Sequence, residues 1–294
     1  MPDILLSVFP IFLVAGVGYL LKRRFNVDSL SLTDLSIYLL NPCLTIYALS
    51  MRKFDSAMLS TALASIALFA VLILLAEILA RVFKLDKGKH LVLDTGSFMM
   101  NTGYIGLPIV LLAFGTEAFA HAAVFSTINV IFMFSYGVSR ISGKTEGVPE
   151  FLKLPLFYSA ILAIAISVLG ISLPGPLSFS IEWLGKGDIL ASLLIIGCRL
   201  AMIDARQVWE PFVLSLSAFK LFLVPLIALA IAVIFGISGD AFKGFMVQAA
   251  TPVAINTVVL ATKYKNPQVD LYSSVVLVTT VLSILTLSLL VVAI

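Results

Sequence analysis

Two apolar stretches of the chain are each interrupted by a polar segment. The first interruption is NTGYIGLP at residues 101–108, and the second is QAATPVAIN at residues 248–256. Glycine relaxes a helical backbone, whereas proline removes an N–H donor and clashes with the preceding turn. Both segments therefore predict a break inside an apolar helix. In the second, Thr251-Pro252 has the pattern of an N-cap followed by proline at the first position of a restarted helix.

The composition places these breaks inside a membrane. Of 294 residues, 61% are hydrophobic and 12% are charged, more apolar surface than a soluble core of this size can bury. A spanning helix needs about 20 apolar residues, so the chain has the length for ten spans with short loops. The predicted spans are 4–21, 35–51, 58–80, 91–113, 119–138, 155–173, 189–203, 212–235, 244–262 and 271–293.

Lysine and arginine predict the orientation of these spans. They concentrate in the loops after odd-numbered spans, at Lys22, Arg23, Arg24, Arg81, Lys84, Lys87, Lys89, Arg140, Lys144, Lys153, Arg206, Lys263 and Lys265. The loops after even-numbered spans carry Arg52, Lys53, Lys186 and Lys243. By the positive-inside rule, both termini are expected on the extracytoplasmic side of the membrane. We expect this membrane to be a bacterial inner membrane.

The two halves of the chain share one layout. A shift of about 154 residues brings the first five predicted spans, and the first break, onto the second five. We predict an all-α polytopic membrane protein with ten transmembrane helices in a 5+5 inverted repeat and crossing broken helices 4 and 9. The repeats are residues 1–140 and 155–294, joined by a short cytoplasmic linker at 141–154. The alternative is that ten similar helices packed into one chain give equal spacing without a repeat.

The paired breaks predict a site for an anion. Backbone groups freed at membrane depth survive only against protein or a water-filled cavity, and half-helix N-termini carry partial positive charge. Asn101 adds an amide donor at the same depth, and Tyr104 either caps a carboxylate, stacks on an aromatic group or merely packs. The expected substrate-binding residues at the crossing are Asn101, Thr102, Gly103, Tyr104, Gly106, Thr251, Pro252 and Asn256.

Two further polar residues inside predicted spans are assigned to the substrate site. Asn41 precedes a proline in the second span and faces either the cavity, which we favour, or a partner helix. Lys220 lies in the eighth span, where a cation at the bilayer centre costs roughly 2.5–3.5 kcal/mol. Lys220 is a counter-charge for the substrate, a latch to a carboxylate, or a side chain that snorkels to the cytoplasmic surface. The functional and the snorkelling interpretations both stay open.

No arrangement of residues indicates an enzyme, a cofactor or a metal site. The string DTGS at residues 94–97 matches aspartic proteases, but their chemistry needs a second carboxylate on a paired loop, and the string occurs once. Metal-ligand clusters, phosphate loops and the basic, aromatic-rich runs of nucleic-acid-binding proteins are missing from the sequence. Catalytic residues, metal ligands, cofactors and nucleic-acid partners are therefore not expected.

The break at residues 101–108 resembles the fourth-helix motif of bacterial members of the auxin efflux carrier family. The stretches ATP at 250–252 and ATKY at 261–264 resemble its ninth helix, and Asn41-Pro42 and Lys220 with Pro225 fit its pattern. The resemblance covers essentially the whole chain. It implies the fold of plant auxin exporters and bile acid/sodium symporters, with spans 1, 2, 6 and 7 as a scaffold that often dimerises. Spans 3–5 and 8–10 would form a transport domain.

The resemblance also implies carboxylate substrates such as malate, malonate or auxin-like acids. We therefore expect a secondary active transporter or uniporter that moves a small organic anion by alternating access, as a homodimer surrounded by lipid. The lack of an acidic cluster for Na⁺ favours uniport or H⁺ coupling. The alternatives are a sodium- or proton-coupled symporter of bile-acid-like anions and an anion channel. A channel needs a continuous polar pore, whereas the polar residues here gather at one depth.

Overall fold

The computed structural model describes residues 2–50, 55–143, 150–204 and 206–294, and each regular element within them is a helix. The prediction of an all-helical fold is confirmed for these residues. Arg52, Lys53 and Lys144, which entered the orientation argument, lie outside the described residues, as does part of the predicted linker.

The α-helices are α1 (Pro2–Phe25), α2 (Ser29–Leu35), α3 (Asn41–Ser50), α4 (Ser56–Val82), α5 (Lys87–Phe98), α6 (Leu107–Phe132), α7 (Val138–Ser142), α8 (Pro155–Leu169), α9 (Gly175–Met202), α10 (Pro211–Ala218), α11 (Val224–Ile234), α12 (Gly239–Ala249), α13 (Asn256–Lys263) and α14 (Val269–Ala293). Short π-helical segments lie at Ser36–Leu40, Thr102–Gly106, Met133–Gly137 and Phe219–Leu223, and a 3-10 turn lies at Glu150–Lys153. The π-helical segments join neighbouring helices into longer continuous stretches.

Among the described residues, five helical stretches are long and apolar enough to cross a membrane: Ser29–Ser50, Ser56–Val82, Thr102–Ser142, Pro211–Ile234 and Val269–Ala293. The shorter helix α8 is also apolar. Large apolar side chains cover the outside of the molecule, including Leu74, Leu226 and Leu285, each more than 60% exposed. A soluble protein rarely exposes so much apolar surface, so the chain is an integral membrane protein whose outer face contacts lipid.

Local sequence explains where several helices begin and end. Asp55 and Asp86 precede α4 and α5, and each carboxylate accepts an N–H of the first turn at 2.9 Å. Proline opens α8, and Gly170 ends it in the left-handed conformation that glycine adopts without strain. Gly115, with φ 79°, interrupts the longest apolar stretch, between the predicted fourth and fifth spans. These are the caps and breakers that mark helix boundaries.

The predicted start of the seventh span is wrong. It was placed at 189–203, whereas α9 is 28 residues long and begins at Gly175. The residues before 189 include Glu182, Lys186 and Asp188, which lowered the apparent hydrophobicity of a helix that is continuous. Its lysine and glutamate form an i,i+4 ion pair at 2.5 Å, which lets two charges occupy one helix surface.

The helices pack in two groups. In one, α1 lies along α9, and α3 packs on α8 and α9. The backbones of α1 and α9 approach closely, because a Cβ on Gly18 would overlap the Leu194 carbonyl and one on Gly197 would overlap the Ala15 carbonyl. In the other group, α4 packs on α5 and α6, α12 packs on α6 and α11, and α10 and α13 pack on α14. The interrupted segments at 99–106 and 250–255 lie between helices of the second group and face the first.

Candidate functional site

The two helix breaks meet and pair through their backbones. Helix α5 ends at Phe98 and the chain turns helical again at Thr102, while α12 ends at Ala249 and α13 begins at Asn256. Between them, the Asn101 N–H donates to the Pro252 carbonyl at 2.9 Å, and the Ala254 N–H donates to the Met99 carbonyl at 2.8 Å. These two bonds form an antiparallel bridge at Met100 and Val253. Groups freed by one break are therefore satisfied by the other.

The predicted role of Thr251-Pro252 as a helix start is wrong. The Thr251 hydroxyl donates to the Gln248 carbonyl at 2.7 Å, so it closes the end of α12 instead of opening the next helix. Helix α13 begins only at Asn256. The bridge to the first break holds the intervening residues extended, and this tertiary pairing overrides the local capping signal.

Carbonyls at the end of α5 are held by distant side chains. The Asn129 amide donates to the Phe98 carbonyl at 2.6 Å, and the Lys220 Nζ atom donates to the Ser97 carbonyl at 3.3 Å. Lys220 is fully buried, so the snorkelling interpretation is wrong. A donor at a helix C-terminus is favourable, because the last carbonyls carry partial negative charge. Lys220 thus contacts the back of the first break.

A cavity of about 90 Å³ lies in front of the breaks. Six of the ten residues assigned to the substrate site line it: Asn41, Asn101, Thr102, Gly103, Tyr104 and Asn256. The other four, Gly106, Thr251, Pro252 and Lys220, do not line it. The cavity wall also includes Ser36, Ser126 and Met133, and the Thr102 and Ser126 hydroxyls lie 2.9 Å apart in a hydrogen bond. The breaks therefore supply the polar wall of one small cavity.

Asn101 is the residue at this wall that lacks a partner. It is 3% exposed, and among the described residues no acceptor lies within hydrogen-bond distance of its side-chain Nδ2. Its backbone carbonyl accepts the N–H groups of Ile105 and Gly106, so it occupies the N-cap of the restarted helix without a side-chain capping bond. The residues of the first turn, Thr102, Gly103 and Tyr104, line the same cavity. A buried amide donor beside a helix N-terminus suits a carboxylate.

Gly106 has a packing role. A Cβ at this position would overlap the Gln248 Oε1 atom and lie 3.0 Å from the Thr251 Cγ2 atom, so glycine lets the two broken helices touch. A Cβ on Gly103 would meet nothing within 4 Å, because this glycine faces the cavity. Gly106 thus allows the two broken helices to pack closely, whereas Gly103 borders the cavity.

Asp188 is a residue that sequence reasoning missed. It is 1% exposed on α9, and its two oxygens accept hydrogen bonds from the Ser36 hydroxyl at 2.5 Å and the Asn41 amide at 3.0 Å. Both donors line the cavity. The predicted seventh span began one residue after Asp188, which left the carboxylate in a supposed loop. The available signal was an acidic residue directly before an apolar run, without a basic residue three or four positions away in the sequence to pair with it as Lys186 pairs with Glu182.

Asp94, from the protease-like string, is a structural residue. Its buried carboxylate accepts hydrogen bonds from the Tyr136 hydroxyl at 2.9 Å and from Arg140 Nε at 2.7 Å. These contacts tie α5 to α7 and to the π-helical segment before it. Within the described part of the chain, no group of three or more His, Cys, Asp or Glu side chains is placed to hold a metal ion.

These features describe an integral membrane protein with a small, largely apolar cavity that has polar side chains in its wall, and comparison with known proteins identifies its class as a transporter. A family model described as membrane transport protein matches residues 3–150 and 148–291. An uncharacterized transporter of Methanothermobacter thermautotrophicus is 29% identical over 220 residues, 73% of this chain and 72% of that protein. An uncharacterized transporter of Methanocaldococcus jannaschii is 24% identical over 300 residues, 98% of this chain and 96% of that protein.

The chain belongs to this membrane transport protein family, the auxin efflux carrier family that its motifs resemble. The predicted resemblance is confirmed. The family comprises transporters, which agrees with the expectation that the chain is not an enzyme.

Proposed function

We propose that this protein is a secondary carrier for small carboxylate anions and that the substrate carboxylate binds at the two helix breaks. The observation that carries the proposal is the buried Asn101 amide, which has no partner among the described residues and lies at a helix N-terminus in the cavity wall. A buried polar group costs free energy unless something satisfies it. An anion in the cavity would accept from this amide and from the neighbouring N–H groups.

The size of the cavity supports a small acid over a bile-acid-like anion. Its volume of about 90 Å³ is well below the roughly 300–1,000 Å³ typical of sites for drug-sized ligands. Malate, malonate and small auxin-like acids are the candidates within this class. Hydrogen-bond donors in the cavity wall also support an acid as the substrate. The helix N-terminus and the Asn101 amide both favour an anion over a neutral molecule.

For transport, we propose ten spans in a 5+5 inverted repeat. The ten spans are α1, α2–α3, α4, α5 with residues 102–114, residues 116–142, α8, α9, α10–α11, α12–α13 and α14. The group of α1, α2–α3, α8 and α9 would be the scaffold and the site of homodimerisation. The remaining helices would move against it as a transport domain, carrying the breaks from one side of the membrane to the other.

The proposed orientation places both termini outside the cytoplasm of a plasma membrane. Basic residues in the loops after odd-numbered spans support it. A reporter that is active only in the cytoplasm, fused after Ile294, should stay silent, while one active only outside should give a signal. The reverse pattern would contradict the ten-span arrangement.

Flux measurements with an Asn101 variant test the site. Wild-type protein in liposomes should show saturable uptake of malate, malonate or indole-3-acetate that is accelerated by unlabelled substrate on the opposite side. A hydrogen bond to a charged group contributes about 1.5–3 kcal/mol, so Asn101→Ala should weaken binding roughly ten- to hundredfold. The melting temperature without substrate should fall little, because the Asn101 Nδ2 atom makes no hydrogen bond to lose among the described residues.

Asn266→Ala is the matched control. The Asn266 amide donates to the Ile141 carbonyl at 2.8 Å away from the cavity, so its loss should lower stability and leave affinity unchanged. A neutral amide analogue of the bound acid should bind poorly to wild type. Wild-type affinity in Asn101→Ala would show that the carboxylate does not bind at the breaks.

A further inference from the structure

The carboxylate of Asp188 is buried on α9 without a cationic partner among the described residues. Its hydrogen-bond donors are the neutral Ser36 hydroxyl and Asn41 amide, at 2.5 and 3.0 Å. An ionised carboxylate this deep, 1% exposed, is costly unless a cation or a proton balances it. Asp94 on α5 differs in this respect, because Arg140 Nε lies 2.7 Å from its carboxylate.

The ionisable groups on the surrounding helices leave Asp188 without such a balance. Tyr104, at the restarted helix, and Cys43, on α3, lie within electrostatic reach of Asp188, and neither carries a positive charge. The cations on its own helix are engaged elsewhere. Lys186 pairs with Glu182 at 2.5 Å and lies over the Tyr47 ring of α3, and Arg199 donates to the Thr33 hydroxyl of α2 at 3.2 Å.

The side chains of Ser36 and Asn41 separate Asp188 from the proposed substrate site. Ser36 and Asn41 line the cavity on one side and bind the Asp188 oxygens on the other. A substrate carboxylate in the cavity and an ionised Asp188 would be like charges with one side chain between them, and their repulsion would weaken binding. A proton on Asp188 removes this repulsion.

Building on the proposed carrier function, we propose that Asp188, on the scaffold helix α9, takes up a proton when the carboxylate substrate binds in the cavity. Asp188 takes up one H⁺ from water when the anion binds, and releases it when the anion leaves. Binding of each partner strengthens binding of the other, because the linkage is reciprocal.

The test measures protons and affinity together in purified full-length protein. Calorimetry of malate, malonate and indole-3-acetate in buffers of different ionisation enthalpy should show uptake of one proton per bound anion. Affinity should fall by up to about tenfold for each unit of rising pH once free Asp188 is ionised. Asp188→Asn, which mimics the protonated carboxyl, should bind the same acid with pH-independent affinity and no proton uptake.

Glu182→Gln is the matched control, since it removes a carboxylate from the same helix at the partly exposed Lys186 pair. It should keep the wild-type pH dependence and proton count. Wild-type binding without proton uptake, or a Na⁺ dependence in place of the pH dependence, would overturn the role of Asp188 and leave the carrier function intact. Loss of binding in a folded Asp188→Asn would also overturn it.

Two further outcomes are decisive. If Asp188→Asn does not fold, the proton count of the wild-type protein decides alone. If none of the three acids binds the wild type, the proposed substrate class fails and the inference about Asp188 falls with it.

Discussion

The first and the second helix break are partners in one backbone bridge, yet they differ in what they leave free. The first break presents the Asn101 amide and the first turn of a restarted helix to the cavity. In the second, Thr251 closes the preceding helix and the Pro252 carbonyl accepts from Asn101, and both residues are completely or almost completely buried. In the proposed carrier, the first break binds the anion and the second supports the first. Similar interruptions in two halves of a chain therefore need not have similar roles.

The largest effect is expected where the two breaks touch. Gly106→Ala would place a methyl group against Gln248, which cannot swing away because it is buried and its amide donates to the Ala122 carbonyl at 3.2 Å. Overpacking of this kind costs about 1–3 kcal/mol, so the melting temperature should fall and carboxylate binding should be lost. Gly103→Ala, three residues away in open space, should keep the wild-type melting temperature. Equal melting temperatures for both variants would mean that Gly106 does not hold the breaks together.

A smaller effect, of opposite kind to that of Asn101→Ala, is expected for Thr251→Val. The substitution keeps the shape of the side chain and removes the hydroxyl that donates to the Gln248 carbonyl. Thermal unfolding should show a loss of about 0.5–1.5 kcal/mol, the usual contribution of one hydrogen bond. Substrate affinity should stay within about threefold of wild type, because a support residue does not contact the anion. A tenfold loss of affinity would contradict the division of roles between the breaks.

The smallest effect is expected for Lys220→Met. A buried lysine whose bond to the Ser97 carbonyl is 3.3 Å long gains little for the cost of its burial, and an apolar side chain of similar length fills the same space. The melting temperature should change by no more than the equivalent of about 1 kcal/mol in either direction. Carboxylate affinity, measured by calorimetry, should be nearly unchanged. If a folded Lys220→Met variant no longer binds the carboxylate, Lys220 belongs to the substrate site after all.

Much of the fold was predictable because it depends on local properties. Apolar length, glycine, proline and capping residues located the helices and both interruptions, and the short motif at 101–108 pointed to the cavity wall at Asn101 and Tyr104. The prediction of the seventh span failed because charged residues lie inside the helix. Asp188 and the nearby Glu182–Lys186 pair made the start of α9 look like a loop, although tertiary packing buries the first and the helix surface carries the other two.

The sequence by itself determined that this chain crosses a membrane, that it belongs with transporters, and where its helices break. Only the tertiary structure decided that the breaks pair with each other, that Thr251 ends one helix instead of starting the next, and that Asp188 stands behind Ser36 and Asn41. The physical reason is distance along the chain. Hydrophobicity and backbone flexibility act within a few residues. The Asn101–Pro252 and Ser36–Asp188 contacts each join residues more than a hundred positions apart. The end of α12 at Thr251 is fixed by the pairing of the two breaks, which is also long-range.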